Sequence, residues 1–420
     1  MELHRNYKFR LYPTKTQQAL LNSHFFAANQ AYNFYLDLKS KELKTQSQLP
    51  KEAREYKKFS DCYIDVKNYL ASRRLKYNSG VVQDSMRKLD SVFKRFYSKK
   101  SEGHGFPKFQ SSRSNEQSFI LRNQATSWDC DSLKIFRQDI KWKMHRPLPD
   151  GAKFNGGTIK RTSDLKYWVI LNLTIEQELP DQMNSVECGI DMNVANISIS
   201  DSSGASYMIT LPDFSKSKYL KSYKKHQKCL SKRYKNKNFS KKTKKLQLKL
   251  NRIQQKIKNC KEDFFHKISN DLTDNHNRIT IEDLKIKQMK ESDKTHLNRM
   301  ISDVSWNSLI TKIKYKAEAK NVQVREINPA YSSQRCNRCG HISANNRNSQ
   351  SDFHCENCQH TTNADLNASK NILEYDNWSL EQTTRLSLWT IKSSQVSMDA
   401  QSILLGAEMH QLEAQSFRTG

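Results

Sequence analysis

The 420-residue chain contains no run of about 18 apolar residues and no signal-peptide pattern, so nothing in it reads as a membrane span and the expected location is the cytoplasm. It also lacks a glycine-rich phosphate loop and a Ser-His-Asp constellation, which removes P-loop nucleotide hydrolysis and serine-type acyl transfer from consideration. Acids are scarce relative to bases: 43 Asp plus Glu stand against 71 Lys plus Arg, giving a net charge of +28 and a pI near 9.6. That excess is more than solubility requires and is the electrostatic footprint of a nucleic-acid binder. An acidic membrane surface fits less well, because the cations are spread over several segments interleaved with Tyr and Phe rather than gathered in one amphipathic anchor. The stretch from Phe214 to Lys261 has no acid at all and nineteen Lys or Arg. Leu246, Leu250, Ile253 and Ile257 give its second half a helical stripe, so it reads as a long basic helical hairpin, with Lys241, Lys242, Lys244 and Lys245 as candidate phosphate contacts. The cysteines do not form a disulfide framework: Cys62, Cys130, Cys188, Cys229 and Cys260 are scattered, as suits a reducing compartment.

The other four cysteines are paired. Cys336 and Cys339 form one Cys-x-x-Cys, Cys355 and Cys358 another, and fifteen residues lie between, which is the spacing of a four-thiolate zinc site. Gly340 suits the positive φ that such a knuckle needs, and His341, His354 and His360 read as loop residues beside it. Seven residues past Cys358 comes Asp365, on the first turn of a short helix that Thr361, Thr362 or Asn363 would cap.

Taken in order, Asn6 to Pro13 alternates like a strand, and helical spacing follows from Thr16 to about Leu43 and from Lys51 to Tyr97. After the Gly103 to Arg113 break the pattern turns to strands up to about Glu176, which read as a small antiparallel barrel or sheet. A new domain begins near Pro180. Val186 to Gly204 reads as a strand carrying Asp191, a break, and a second strand. A carboxylate inside an apolar strand is costly unless it meets a cation, so Asp191 is a candidate ligand. Arg278 to Met289 is a further strand with Glu282 where its apolar run ends, followed by a helix stopped at Asn321, a strand, and the zinc knuckles. This order is the layout of an RNase H-like nuclease, in which acids from separate elements converge on one sheet edge. Asp191, Glu282 and Asp365 would hold Mg²⁺, whose preference for hard oxygen ligands a few carboxylates satisfy, for two-ion phosphodiester hydrolysis.

The segments YKFRLYPT, GFPKFQS, TIKRTSDLKYWV, GIDMNVANISIS, ITIEDLKIKQM, SWNSLITKIKYKAEAKNVQVREINPAYSSQRCNRCG and NADLNASKNIL, in this order, make the chain resemble the TnpB family up to about Leu373. TnpB proteins are transposon-encoded RNA-guided DNA endonucleases related to the type V CRISPR effectors. The resemblance implies a multidomain α/β and α+β protein. Residues 1–12 and 101–180 would form a wedge-like β-barrel, 13–100 a helical recognition lobe, 181–330 with 363–374 a RuvC-like nuclease, and 331–362 a zinc-ribbon target-loading module. Residues 375–420 would be a flexible tail. It further implies a guide RNA from the transposon end, a double-stranded DNA target beside a short motif, structural Zn²⁺, and Asp191, Glu282 and Asp365 as the catalytic Mg²⁺ ligands. Two positions depart from the family pattern: Asn193 stands where a glycine is usual and Asn363 where an acid is usual. The competing readings are a nuclease-silent RNA-guided repressor, which would most simply have lost one of the acids, and an RNase H-like DNA transposase.

Overall fold

The structure is a computed structural model that describes residues 1–98, 105–122, 126–181, 185–193, 195–211, 218–236, 240–284, 306–347, 349 and 351–376. The latter part of the strand segment expected to run to Met289, and nearly all of the tail expected over 375–420, lie outside the described residues. Contacts divide the chain into two units, Met1–Glu178 with Phe214–Asn259 and Leu179–Asp213 with Cys260–Gly420. The basic stretch therefore groups with the first unit, whereas the expectation had set it inside the 181–330 nuclease region.

The first unit begins with β1 (Glu2–Leu11) and the helix α1 (Lys15–Ser47). Thr14 and Gln17 form a reciprocal capping box, each side chain bonded to the other's backbone N–H, which satisfies donors that the first turn of α1 leaves open. Helices α2 (Phe59–Ser72) and α3 (Ser79–Tyr97) pack on α1 around Tyr35, Leu36, Val66, Leu70, Met86 and Leu89. Strands β2 (Gln117–Leu121), β3 (Thr126–Trp128), β4 (Ser132–Ile135), β5 (Gln138–Lys143), β6 (Lys153–Arg161) and β7 (Tyr167–Glu176) follow. With β1 they form a seven-stranded sheet in the order β2-β6-β7-β1-β5-β4-β3, every neighbouring pair antiparallel. The first strand thus joins the later ones in one sheet. Phe9, Leu11, Val169 and Leu171 on one face meet Leu21 and Phe25 of α1 in a common core.

Strands β8 (Glu187–Met192), β9 (Asn196–Asp201) and β10 (Ser206–Thr210) form an antiparallel meander in the second unit. The basic stretch folds as two helices, α4 (Lys218–Lys235) and α5 (Lys241–Asn275). Gln254 of α5 donates to the Tyr223 hydroxyl of α4 at 2.9 Å, and Asn251 donates to the Ser163 carbonyl in the β6–β7 turn at 2.9 Å. Lys241, Lys242, Lys244 and Lys245 are exposed, around a buried Thr243.

Next come β11 (Arg278–Glu282), α6 (Trp306–Ala319) and β12 (Gln323–Ile327), with Asn321 at φ +57° ending the helix as its tolerance of that region predicts. The second sheet runs β10-β9-β8-β11-β12, with β11 parallel to both β8 and β12. One face of it is apolar: Cys188, Ile190, Ile197, Ile199, Ile279 and Ile281 pack against Phe265, Ile268 and Leu272 of α5 and Trp306, Leu309 and Ile313 of α6. Short strands β13 (Asp352–His354) and β14 (Thr361–Asn363) precede the last helix, α7 (Ala364–Leu373). Among the described residues, no helix is long and apolar enough to cross a membrane.

Candidate active site and metal centre

Strand alternation sends Cys188 and Ile190 into the α5/α6 core and leaves Gly189 and Asp191 on the opposite face of β8. That face receives α7, and it does so at backbone contact. A Cβ built on Gly189 would lie 2.3 Å from the Leu373 nitrogen and 2.4 Å from the Ser369 carbonyl oxygen, so only glycine admits the helix here. Ser200 of β9 and Ser369 of α7 share a hydrogen bond of 2.7 Å, fixing the helix along the sheet. Asn363 caps α7 by accepting from the N–H groups of Asp365 at 2.9 Å and Leu366 at 3.2 Å, which starts the helix.

Asp191, Glu282 and Asp365 are all buried on this side, 9%, 7% and 8% exposed, and each accepts a hydrogen bond from a neutral donor. Asn193 Nδ2 donates to Asp191 Oδ2 at 2.9 Å, Ser332 Oγ to Glu282 Oε1 at 2.6 Å, and Asn196 Nδ2 to Asp365 Oδ2 at 3.2 Å. Arg347 approaches Asp365 Oδ1 at 3.9 Å. Burial pushes the Asp191 carboxyl up to about 7, and the charges of Glu282 and Asp365 push the same way against the Asn193 hydrogen bond and Arg347. Burial raises Glu282 as well, opposed by the bond from Ser332. Three buried carboxylates on one sheet face offer hard oxygen donors of the kind that suits Mg²⁺. Two buried polar atoms beside them, Asn196 Oδ1 and Ser198 Oγ, have no hydrogen-bond partner among the described residues, and Ser198 lies directly opposite Asp191 in the β8–β9 register.

The four paired cysteines converge as their spacing predicts. Their sulfurs all lie within 4.8 Å of one another, with Cys336 to Cys358 at 3.7 Å and Cys339 to Cys355 at 3.5 Å. A tetrahedral zinc with Zn–S bonds of about 2.3 Å spaces its sulfurs by roughly 3.8 Å, so the donor set fits that ion. Both knuckles have the same build. Cys336 N–H donates to the His341 carbonyl and Gly340 N–H to the Cys336 carbonyl, and Cys355 with His360 and Gln359 repeats the pattern. Gly340 has φ +76° and Gln359 takes the equivalent turn at φ +57°. Among the described residues this is the one group of three or more ligating side chains gathered so closely; the three acids are more widely spread.

Buried asparagines tie the thiolate module to α7. Asn367 and Asn371, one helical turn apart, both donate to the Arg335 carbonyl at 2.7 Å, and Asn367 accepts from the Asn337 N–H at 3.0 Å. Sequence reading located the acids and cysteines but missed Gly189, Asn196, Ser332, Arg347 and this asparagine pair. The available signal was polar residues bordering an acid-bearing strand or recurring at i, i+4 on a helix that should have buried apolar ones.

The chain is thus a mixed α/β protein of two units, with buried acids on one sheet face and a four-cysteine cluster tied to the helix that carries one of them. Known proteins narrow this. Residues 306–372 match the family described as "Cas12f1-like, TNB domain", 171–293 the one described as "Probable transposase", and 1–48 a "Helix-turn-helix domain", although 1–48 here is a strand followed by one long helix. The chain is 28% identical over 340 residues to the "Putative RNA-guided DNA endonuclease InsQ" of Escherichia coli (strain K12), covering 76% of this chain and 80% of that one. It is 27% identical over 379 residues to a "Putative RNA-guided DNA endonuclease" of Streptomyces pristinaespiralis, covering 89% of each. The fold is similar to that of Cas12f1 in a cryo-EM structure of its complex with guide RNA and target DNA, with a TM-score of 0.53 at 15% identity over 86% of this chain and 83% of that one. Along most of its length the chain is thus similar to proteins named RNA-guided DNA endonuclease, and its fold is similar to that of a Cas12f1 effector.

Proposed function

We propose that the protein is an RNA-guided endonuclease that cleaves double-stranded DNA beside a short transposon-associated motif. The observation that carries this reading is the burial of Asp191, Glu282 and Asp365, from β8, β11 and α7, on one face of the β10-β9-β8-β11-β12 sheet. That strand order, an antiparallel meander continued by two parallel strands, supports a RuvC-like, RNase H-like nuclease. The seven-stranded sheet then corresponds to a wedge-like barrel and α1 to α3 to a recognition lobe. The names of the relatives from E. coli and Streptomyces pristinaespiralis support the activity.

In this reading Asp191, Glu282 and Asp365 would hold Mg²⁺, which would supply activation of water and charge stabilisation for phosphodiester hydrolysis. The chain's own part is to orient the ligands. Strand β8 fixes Asp191, Ser332 holds Glu282, and the Asn363 cap and the Gly189 contact set the position of Asp365. The guide supplies sequence choice by base pairing, while the protein holds the heteroduplex by its backbone and shape. The thiolate module would hold structural Zn²⁺.

Asp191→Ala, Glu282→Gln or Asp365→Ala should each abolish Mg²⁺-dependent cleavage of a guide-matched plasmid while leaving binding to it nearly intact. Wild-type protein that binds matched DNA without cutting would favour a repressor instead, and undiminished cutting by any one variant would remove that residue from the site.

A further inference from the structure

The turn joining β8 to β9 is closed by the Asn193 N–H donating to the Asn196 carbonyl at 3.0 Å, and its two asparagine side chains reach two acids carried by different elements. Asn193 bonds Asp191 on the same hairpin, and Asn196 bonds Asp365, 169 residues further along the chain. Each amide takes up Oδ2 of its acid. A neutral donor aligns a carboxylate without cancelling its charge, whereas a lysine or arginine at the same distance would compete with a metal cation. The far side of the Asn196 amide completes the pattern. Its Oδ1 is buried with no partner among the described residues, as is Ser198 Oγ on the same face, and buried polar atoms of this kind are usually satisfied by water or by a group that arrives with a ligand.

We propose that Asn193 and Asn196 are positioning residues that hold Asp191 and Asp365 oriented for divalent ions, with Asn196 Oδ1 accepting a hydrogen bond from water carried on the ion. This rests on the reading of the three acids as ion ligands. Outer partners of metal ligands change affinity by about 10- to 100-fold when removed.

The test is iron-mediated backbone cleavage of the full chain purified with its RNA. Fe²⁺ with ascorbate and peroxide cuts polypeptide next to the ion it replaces, so the signal is specific to the site even where RNA binds ions of its own. Wild type should be cut near Asp191 and Asp365, and Asp191→Ala should lose those cuts. The double variant Asn193→Ala/Asn196→Ala, with unchanged zinc content and bound RNA, should need about tenfold more Fe²⁺ for half-maximal cutting. Its DNA cleavage should need correspondingly more Mg²⁺, while the rate at saturation stays within about threefold of wild type. Half-maximal cutting at the wild-type Fe²⁺ concentration, with Asp191→Ala silent, overturns the role of the asparagines and leaves the acid site standing. Wild-type cutting by Asp191→Ala overturns the acid site, and the inference with it. If the double variant does not fold, Asn193→Ala and Asn196→Ala are read singly in the same titration, each expected to need about threefold more Fe²⁺, and no shift in either overturns the proposal.

Discussion

At Gly189 a single hydrogen in place of a side chain decides where a carboxylate stands. The contacts of 2.3 and 2.4 Å that a Cβ would make are with α7 backbone, which cannot rotate out of the way as a side chain can. Gly189→Ala should therefore displace α7, lower stability by about 1 to 3 kcal/mol, and reduce cleavage at saturating Mg²⁺ because Asp365 travels with the helix. Thermal melting and single-turnover cleavage measure the two effects, and full activity with unchanged stability would show that the close packing does not set the site. Two of the acids stood out by local pattern, Asp191 interrupting an apolar strand and Glu282 ending an apolar run, whereas Asp365 sits in a helix first turn, where an acid is ordinary. Their partners were not legible in the sequence. Ser332 lies 50 residues from Glu282 and Asn196 lies 169 from Asp365, and no local pattern records which polar side chain will meet which carboxylate after folding.

Among the elements, the thiolate module and α7 behave as a linked pair. Asn367 and Asn371 hold the first knuckle by its Arg335 carbonyl, so order in the module is transmitted to the helix that carries Asp365. Cys336→Ser and Cys358→Ser should each lower zinc content below about one ion per chain, lower the melting temperature, and weaken cleavage through α7, because a structural zinc contributes folding energy directly. Full zinc in both variants by metal analysis would refute the four-cysteine site. The module was legible from spacing alone, since four thiolates around one ion leave few arrangements for two Cys-x-x-Cys pairs. The sheet orders were less so. Alternation identified β1 as a strand, but its place between β7 and β5 depends on closing a loop of more than 100 residues, which periodicity does not encode.

For the whole molecule the charge of +28 is the dominant quantity, and much of it sits on α4 and α5. Lys241, Lys242, Lys244 and Lys245 stand exposed on the first turns of α5. Changing all four to Gln should weaken binding to all sequences alike and flatten the salt dependence of the binding constant by up to about 0.9 per lost duplex phosphate contact. Titrations at several salt concentrations read this directly, and an unchanged slope with unchanged affinity would mean that these lysines only face solvent. The central claim is that the bound RNA chooses the DNA and the acids cut it. The most direct measurement is a guide exchange: the complex is prepared with its own guide segment or with an unrelated one, and each is incubated with two plasmids that carry one matching sequence apiece. The account predicts that cutting moves to the plasmid matching the new guide, requires Mg²⁺, and vanishes in Asp191→Ala with either guide. Cutting that stays on the same plasmid whatever the guide, or that persists in Asp191→Ala, would contradict it.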